Sequence, residues 1–232
     1  FASIAVVPVR YREKVLGVIH IADEREGKVP LKIVEFIESM VPLIGEALYR
    51  FNIEEELQRN NDIQTAINSL LRFSLEDISL RELLEVALEL LLFLPWLSFE
   101  SKACIFLVED EPEVLHMKTQ NRIEEPLKKV CARLPFGKCL CGRAALTRKM
   151  QFADCMNDSH EIVFEGITRH GHYCVPILLA DRVLGVINVY IKEGHRYSQS
   201  EAEFLTAVAN TLAGIIDRKR KEEMLVRKEA SL

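Results

Sequence analysis

The 232-residue chain predicts an α+β fold, with one central antiparallel sheet, helices gathered on one face and a ligand-facing side opposite. Three observations carry this. A strand–turn–strand–helix unit occurs twice at a constant offset of 168 residues. Val7-Pro8-Val9 is answered by Val175-Pro176-Ile177, and Val15-Leu16-Gly17-Val18-Ile19 by Val183-Leu184-Gly185-Val186-Ile187. The correspondence continues through Glu35-Phe36 and Glu203-Phe204 to Arg50 and Arg218. Between the copies, apolar spacing switches from helical to strand-like and back. Finally, 49% hydrophobic and 28% charged residues match a globular core with a solvated surface.

In each copy a polar turn (Arg10–Lys14; Leu179–Arg182) joins two strands, and a long amphipathic helix follows. Val34, Ile37, Val41, Ile44 and Leu48 support the first helix; Phe204, Val208, Leu212, Ile215 and Ile216 support the second. Residues 43–75 read as nearly continuous helix. Leu80, Leu83, Leu84, Ala87, Leu88 and Leu91 form another helix behind Ser79, a candidate cap. Ala103–Val108 and Val114–Met117 read as a hairpin, Ile123–Leu134 as a short helix, and Gly137–Lys149 as a glycine-containing loop entering a helix. A short strand follows at Gln151–Asp154. The tail from Ile215 to Leu232 reads as a charged helix.

The net charge of −5 gives no sign of nucleic-acid binding. The longest apolar run, Leu90–Leu97, contains Pro95 and is too short to span a bilayer. The chain opens on strand-like residues rather than a basic leader and lacks an initiating Met, so a piece of a longer cytoplasmic protein is expected. Six cysteines are too sparse for a disulfide scaffold, which favours reduced thiols.

Cysteine and histidine crowd one stretch: Cys139, Cys141, Cys155, Cys174, His160, His170 and His172. Within a strand His170, His172 and Cys174 share one face, because side chains alternate with period two. Thiolates and imidazoles bind zinc and iron and react with oxidants. A metal site would draw on Cys139, Cys141, Cys155 and Cys174, with His170 or His172 as substitutes, and an iron–sulfur cluster commonly takes four cysteines. Cys-x-Cys and the gaps of 13 and 18 residues match no standard zinc ribbon. A thiol switch needs only two neighbouring cysteines, one of lowered pKa; Cys139 and Cys141, near a helix N-terminus with Lys138 and Arg143, are the candidates. The plain alternative is packing, since free cysteine is often a small buried hydrophobe, as expected for Cys104 and Cys131.

Lesser features read as structural. Asp154, Asn157, Asp158 and Glu161 fit a polar loop, Arg169 and Glu165 a solvated pair, Trp96 a packing wedge and His195 an exposed turn residue. Nucleophile-elbow, phosphate-loop and zinc-protease motifs are absent from the sequence, so this region is read as a sensor rather than an enzyme.

Val175–Ile177, Val183–Asn188 and Ser200–Leu212 together resemble the closing half of a GAF domain. Gly137, Leu140, Gly142 and Ala144 resemble its mid-domain glycine turn and short helix. The resemblance covers residues 61–218 fully and 1–50 in part, with 51–60 as helical linker and 219–232 as C-terminal signalling helix. It implies a sensory module of a bacterial or archaeal signalling protein. Its output domain would be a histidine kinase, diguanylate cyclase or transcriptional activator elsewhere in the same protein. Haem joins zinc and iron–sulfur as a possible cofactor. A homodimer through helices 43–75 and 205–232 would pass the signal on. Val189–His195 lacks the family's cyclic-nucleotide signature, and His172-Tyr173-Cys174 inverts the order of its bilin-attachment residues. Two other readings stand beside this one: a ligand-free dimerisation and relay module, and a binder of a small organic molecule.

Overall fold

The computed structural model describes residues 1–94, 96–157, 160–162 and 167–229. They fall into two units, Phe1–Asn61 and Asp62–Leu232.

In the first unit, β1 (Ser3–Tyr11) and β2 (Lys14–Asp23) form a two-stranded antiparallel sheet, and α1 (Leu31–Phe73) begins. The hairpin turns through Arg12 at φ 53°, where the short loop demands a left-handed residue. Val7 and Val9 are buried, and Tyr11 stacks on Tyr49 at 4.0 Å.

The second unit contains the end of α1, α2 (Leu80–Phe93), β3 (Phe99–Val108), β4 (Val114–Asn121), α3 (Glu125–Cys131) and β5 (Arg133–Pro135). It continues with α4 (Cys139–Thr147), β6 (Gln151–Ala153), β7 (His170–Leu179), β8 (Arg182–Lys192) and α5 (Gln199–Glu229). All strand pairs are antiparallel, in the order β5-β4-β3-β8-β7-β6. Residues 230–232, at the end of the expected tail helix, lie outside the described residues.

Ser79 starts α2 with a capping box. Its Oγ accepts from Glu82 N at 3.2 Å, and its N–H donates to Glu82 Oε2 at 2.8 Å. Leu83, Leu84, Ala87, Leu88 and Leu91 then face the sheet as the helical spacing requires. The long helices cover one sheet face: Ala103, Ile105 and Leu107 of β3 join Tyr173, Val175 and Ile177 of β7 in their shared core. The α1 C-terminus is tied to α5, where Arg218 donates to the Ser74 carbonyl and Lys219 to those of Glu76 and Ile78. These cations meet carbonyls at and just beyond a helix end, where positive charge is favoured.

On the ligand-facing side, α3 and α4 roof a second core that includes Cys104, Phe106, Leu115, Leu134 and Val186. One feature differs from the sequence reading: the segment read as one helix over Ile123–Leu134 divides, α3 ending at Cys131 and β5 pairing with β4 through Leu134 and Leu115. Burying Leu134 against the sheet wins over helix continuation, and Pro135 is tolerated on an edge strand. Among the described residues, no helix is long and apolar enough to cross a membrane.

Leu84 is 0% exposed, so Leu84→Ala is expected to cost about 2–5 kcal/mol. Ser79→Ala, which removes only the cap, is expected to cost about 1 kcal/mol. Urea unfolding followed by circular dichroism measures both.

Candidate functional site

The roofed side of the sheet is built around β7. Alternation along this strand sends His170, His172 and Cys174 to one face and Tyr173 to the other. Gly171 lies between the histidines because β6 runs close: a Cβ there would sit 2.3 Å from the Ala153 carbonyl oxygen. On the neighbouring strand β8, Asn188 is paired with Cys174 and Tyr190 with His172.

Three imidazoles converge at this face, two from β7 and His160 from the preceding loop. All three are buried. His160 Nε2 lies 3.0 Å from His172 Nε2 and 3.3 Å from His170 Nε2. His172 Nδ1 meets Asn188 Oδ1 at 2.9 Å, and His170 Nδ1 meets the Thr168 carbonyl at 2.5 Å. Both partners are acceptors, so each Nδ1 donates, and in the neutral ring each of these Nε2 atoms presents a lone pair. His160 Nδ1 is buried without a hydrogen bond of its own.

The cysteines lie around this group without joining it. Cys141 of α4 faces Cys174 of β7, Sγ to Sγ 3.6 Å. Asn188 bridges, with Oδ1 3.5 Å from Cys174 Sγ and Nδ2 3.7 Å from Cys104 Sγ. Cys139 opens α4 at φ 54°, a left-handed conformation rare for a side chain with a Cβ. A cavity of about 30 Å³ between sheet and roof is lined by Cys139, Cys141, Cys174, His160, His172 and Asn188, among others. Gly142 lets α4 sit this close, since a Cβ there would lie 2.4 Å from the Pro135 carbonyl oxygen.

Of the six residues chosen as ligands, the structure brings Cys139, Cys141, Cys174 and His172 to one cavity, with His170 beside His172. Cys155 stands apart, partly exposed beside Asp154 just past β6, so the four thiols chosen from sequence do not converge, while Cys104 and Cys131 line the cavity in addition to the other three. Among the described residues, His160, His170 and His172 are the group whose ligand atoms all fall within 4.8 Å of one another.

The expectation of a lowered thiol pKa is also corrected. Burial raises Cys139, and Cys141 adds to it; the backbone N–H groups of Leu140, Ile162 and Glu161 work against the rise without cancelling it. Cys141 is raised well above the ordinary range, first by its contact with Cys174 and then by burial. Arg143 is engaged with Glu161 at 2.8 Å. Burial pushes Cys131 up to about 12.

His160 and Asn188 were not singled out as ligand and positioning group from sequence. A lone Asn within the apolar run Val183–Val189, and a third histidine within a dozen residues of two others, were the available signals. Nothing in the sequence pointed to the Thr168 carbonyl. His195, read as an exposed turn residue, instead contacts buried Glu201 at 2.7 Å. Trp96 does wedge against Phe204, edge to face at 5.6 Å. Arg169 pairs with Glu193 at 2.7 Å; Asp158 and Glu165 lie outside the described residues.

Burial, then the His170 and His160 rings, holds His172 well below the ordinary histidine value of 6.5. Burial, then His170, lowers His160. Such a histidine stays neutral in the fold while the unfolded chain takes up a proton. Unfolding therefore binds protons, and stability falls as pH drops below about 6.5. The metal-free protein is expected to lose urea resistance between about pH 7.5 and about pH 5, and His172→Gln to lose less over the same interval. Urea midpoints at the two pH values measure this.

The comparisons with known proteins agree with this architecture. A GAF domain family model matches residues 77–217. No curated protein matches the sequence. Among solved structures, the GAF domain of a phosphoenolpyruvate-protein phosphotransferase from Coxiella burnetii is similar at 17% identity and TM-score 0.60, covering 70% of this chain and 97% of that one. The corresponding Acinetobacter domain is similar at 13% identity and TM-score 0.58, covering 71% and 95%. A free methionine-R-sulfoxide reductase from Neisseria meningitidis, solved with its substrate, is similar at 16% identity and TM-score 0.55, covering 69% and 91%. At these identities the likeness is one of fold, while the family match spans more than half the chain. The chain belongs to the GAF domain family.

Proposed function

We propose that this GAF domain senses a metal or redox signal in its Cys/His cavity and relays it through α5 to an output domain of the same protein. One observation carries the reading: a single strand, β7, holds both the site and the helix. Its cavity face bears His170, His172 and Cys174. Its opposite face bears Tyr173, whose hydroxyl donates to Glu201 Oε2 at 3.1 Å in the first turn of α5. Glu201 is only 3% exposed. It is held as well by the Ser98 N–H at 3.2 Å and by His195. A buried carboxylate with several donors is costly to displace, so a shift of β7 is passed to the helix rather than absorbed.

The α5 tail exposes Met224, Leu225 and Val226, and α1 exposes Phe51 and Leu57, surfaces suited to the homodimer read for helices 43–75 and 205–232. The output would be a histidine kinase, diguanylate cyclase or transcriptional activator, with any enzymatic activity residing there. By the repeat, residues 1–50 are the closing half of a first GAF-like domain.

The test is anaerobic purification with iron and zinc analysis, followed by hydrogen exchange of α5 with and without metal. Stoichiometric metal and a changed exchange rate in the first turns of α5 are expected. Tyr173→Phe and Glu201→Gln should retain the metal and lose most of that change. A protein that takes up no metal and does not respond to oxidant would sink the reading.

The Cys141–Cys174 approach favours a second reading, a thiol switch. Hydrogen peroxide would take two electrons and two protons from the thiols, with the S–S bond forming and the O–O bond breaking to leave two waters, joining α4 to β7. Raised thiol pKa values predict slow reaction. Intact mass under non-reducing conditions should show loss of two hydrogens in the parent chain, absent in Cys141→Ser.

A further inference from the structure

We infer that His160, His170 and His172 together hold one divalent first-row transition metal ion through their Nε2 atoms, with every thiol of the cavity outside its coordination shell. This rests on the metal reading above and names the ligands within it.

The first argument is distance. An ion about 2.0–2.1 Å from each imidazole nitrogen sets neighbouring nitrogens about 2.9 Å apart at a right angle and about 3.4 Å apart at a tetrahedral one. Two of the three separations, 3.0 and 3.3 Å from His160 Nε2, fall inside that interval, and the ligand atoms of all three rings lie within 4.8 Å of one another.

The second argument is hydrogen accounting. His170 and His172 each donate Nδ1–H to an oxygen, so both bring an Nε2 lone pair to the centre. His160 Nε2 faces both of them. A proton on His160 Nε2 bridges well to only one. It also leaves His160 Nδ1 as a bare acceptor in a buried place where it makes no hydrogen bond. An ion accepts all three lone pairs and moves the His160 proton to Nδ1. The ion removes the conflict at the centre, where one proton cannot serve two acceptors.

The third argument is the outer shell. Metal-bound histidines almost always donate their second nitrogen to a carbonyl or carboxylate, which fixes the ring and raises its basicity. The Asn188 side-chain oxygen and the Thr168 carbonyl already occupy those positions on two of the three rings.

Most of the sulfur atoms have other partners, Cys139 among them with backbone N–H groups of Leu140, Glu161 and Ile162. Cys141 and Cys174 face each other, Cys174 and Cys104 meet Asn188, and Cys155 lies outside the cavity. An all-imidazole set suits zinc, iron, copper or nickel. Three protein ligands leave a fourth position open, as in catalytic rather than structural zinc sites. The adjoining cavity of about 30 Å³ has room for one water-sized ligand there.

The experiment is titration of chelator-treated full chain with Co(II), followed by displacement with Zn(II). One cobalt per chain is expected, with visible d–d bands and without the intense near-ultraviolet band of a cobalt–thiolate bond. His160→Gln and His172→Gln should abolish stoichiometric binding. Asn188→Ala should weaken it about 10–100-fold. Cys139→Ser, Cys141→Ser and Cys174→Ser should bind as the parent does. Circular dichroism of each variant separates loss of site from loss of fold. Asn188→Ala adds a graded effect should a histidine variant unfold. A thiolate band that disappears in a Cys→Ser variant would overturn the inference and leave the metal reading standing. No cobalt or zinc bound by folded parent protein would overturn both.

Discussion

The ladder between β7 and β8 is the constraint on which the rest of the second unit depends. It runs from His170 paired with Lys192 to Leu179 paired with Arg182, and β6 closes part of the other side of β7. A strand hydrogen-bonded on both edges cannot rotate one side chain out without disturbing the ladder. Each residue's face is thereby determined by its parity. Even positions 170, 172 and 174 supply the cavity. Odd positions 173, 175 and 177 supply the core beneath α2 and α5. A displacement on the cavity face is therefore also a displacement of Tyr173, and Tyr173 is bonded to the first turn of α5.

The cavity face is unusual for a sheet interior in carrying a continuous polar chain. Hydrogen-bonding atoms run from Cys104 through Asn188 to His172, then His160, His170 and the Thr168 carbonyl. Buried polar groups left without partners are costly, and satisfied networks specify one arrangement. Around this network the roof is apolar, with Leu127 and Leu140 over Phe106 and Val186. That surrounding suppresses the chemistry of the thiols, which stay protonated. It favours the neutral form of His160 and His172, whose pKa values burial lowers.

The two copies of the repeat show what burial owes to context. Phe36 and Phe204 occupy equivalent positions, yet Phe36 is 65% exposed and Phe204 is 1% exposed. Val18 is likewise exposed where Val186 is buried. The hairpin and helix form in both copies, because turn chemistry and apolar periodicity act locally. In the second unit β8 also pairs with β3, and the α1 end and α2 complete the core.

Element types and order were legible in the chain itself. The Ser79 cap, the helical leucines of α2 and the shared parity of His170, His172 and Cys174 are all short-range patterns, set by helix pitch and strand pleat, and the 168-residue offset showed the hairpin and helix to be repeated. The division of Ile123–Leu134 was not legible, because Leu134 is drawn into β5 by a partner strand rather than by its neighbours. Nor was the assembly of the site. Seven Cys and His residues stood out by type and six were read as ligands, but which of them meet depends on where α4 and the 160-loop are laid across the sheet. That placement brings in His160 and Asn188, leaves Cys155 outside, and raises the Cys139 thiol by burial and the Cys141 thiol by its contact with Cys174 and then burial. Residue chemistry is written in the sequence; distance and dielectric surroundings arise only when distant segments come into contact.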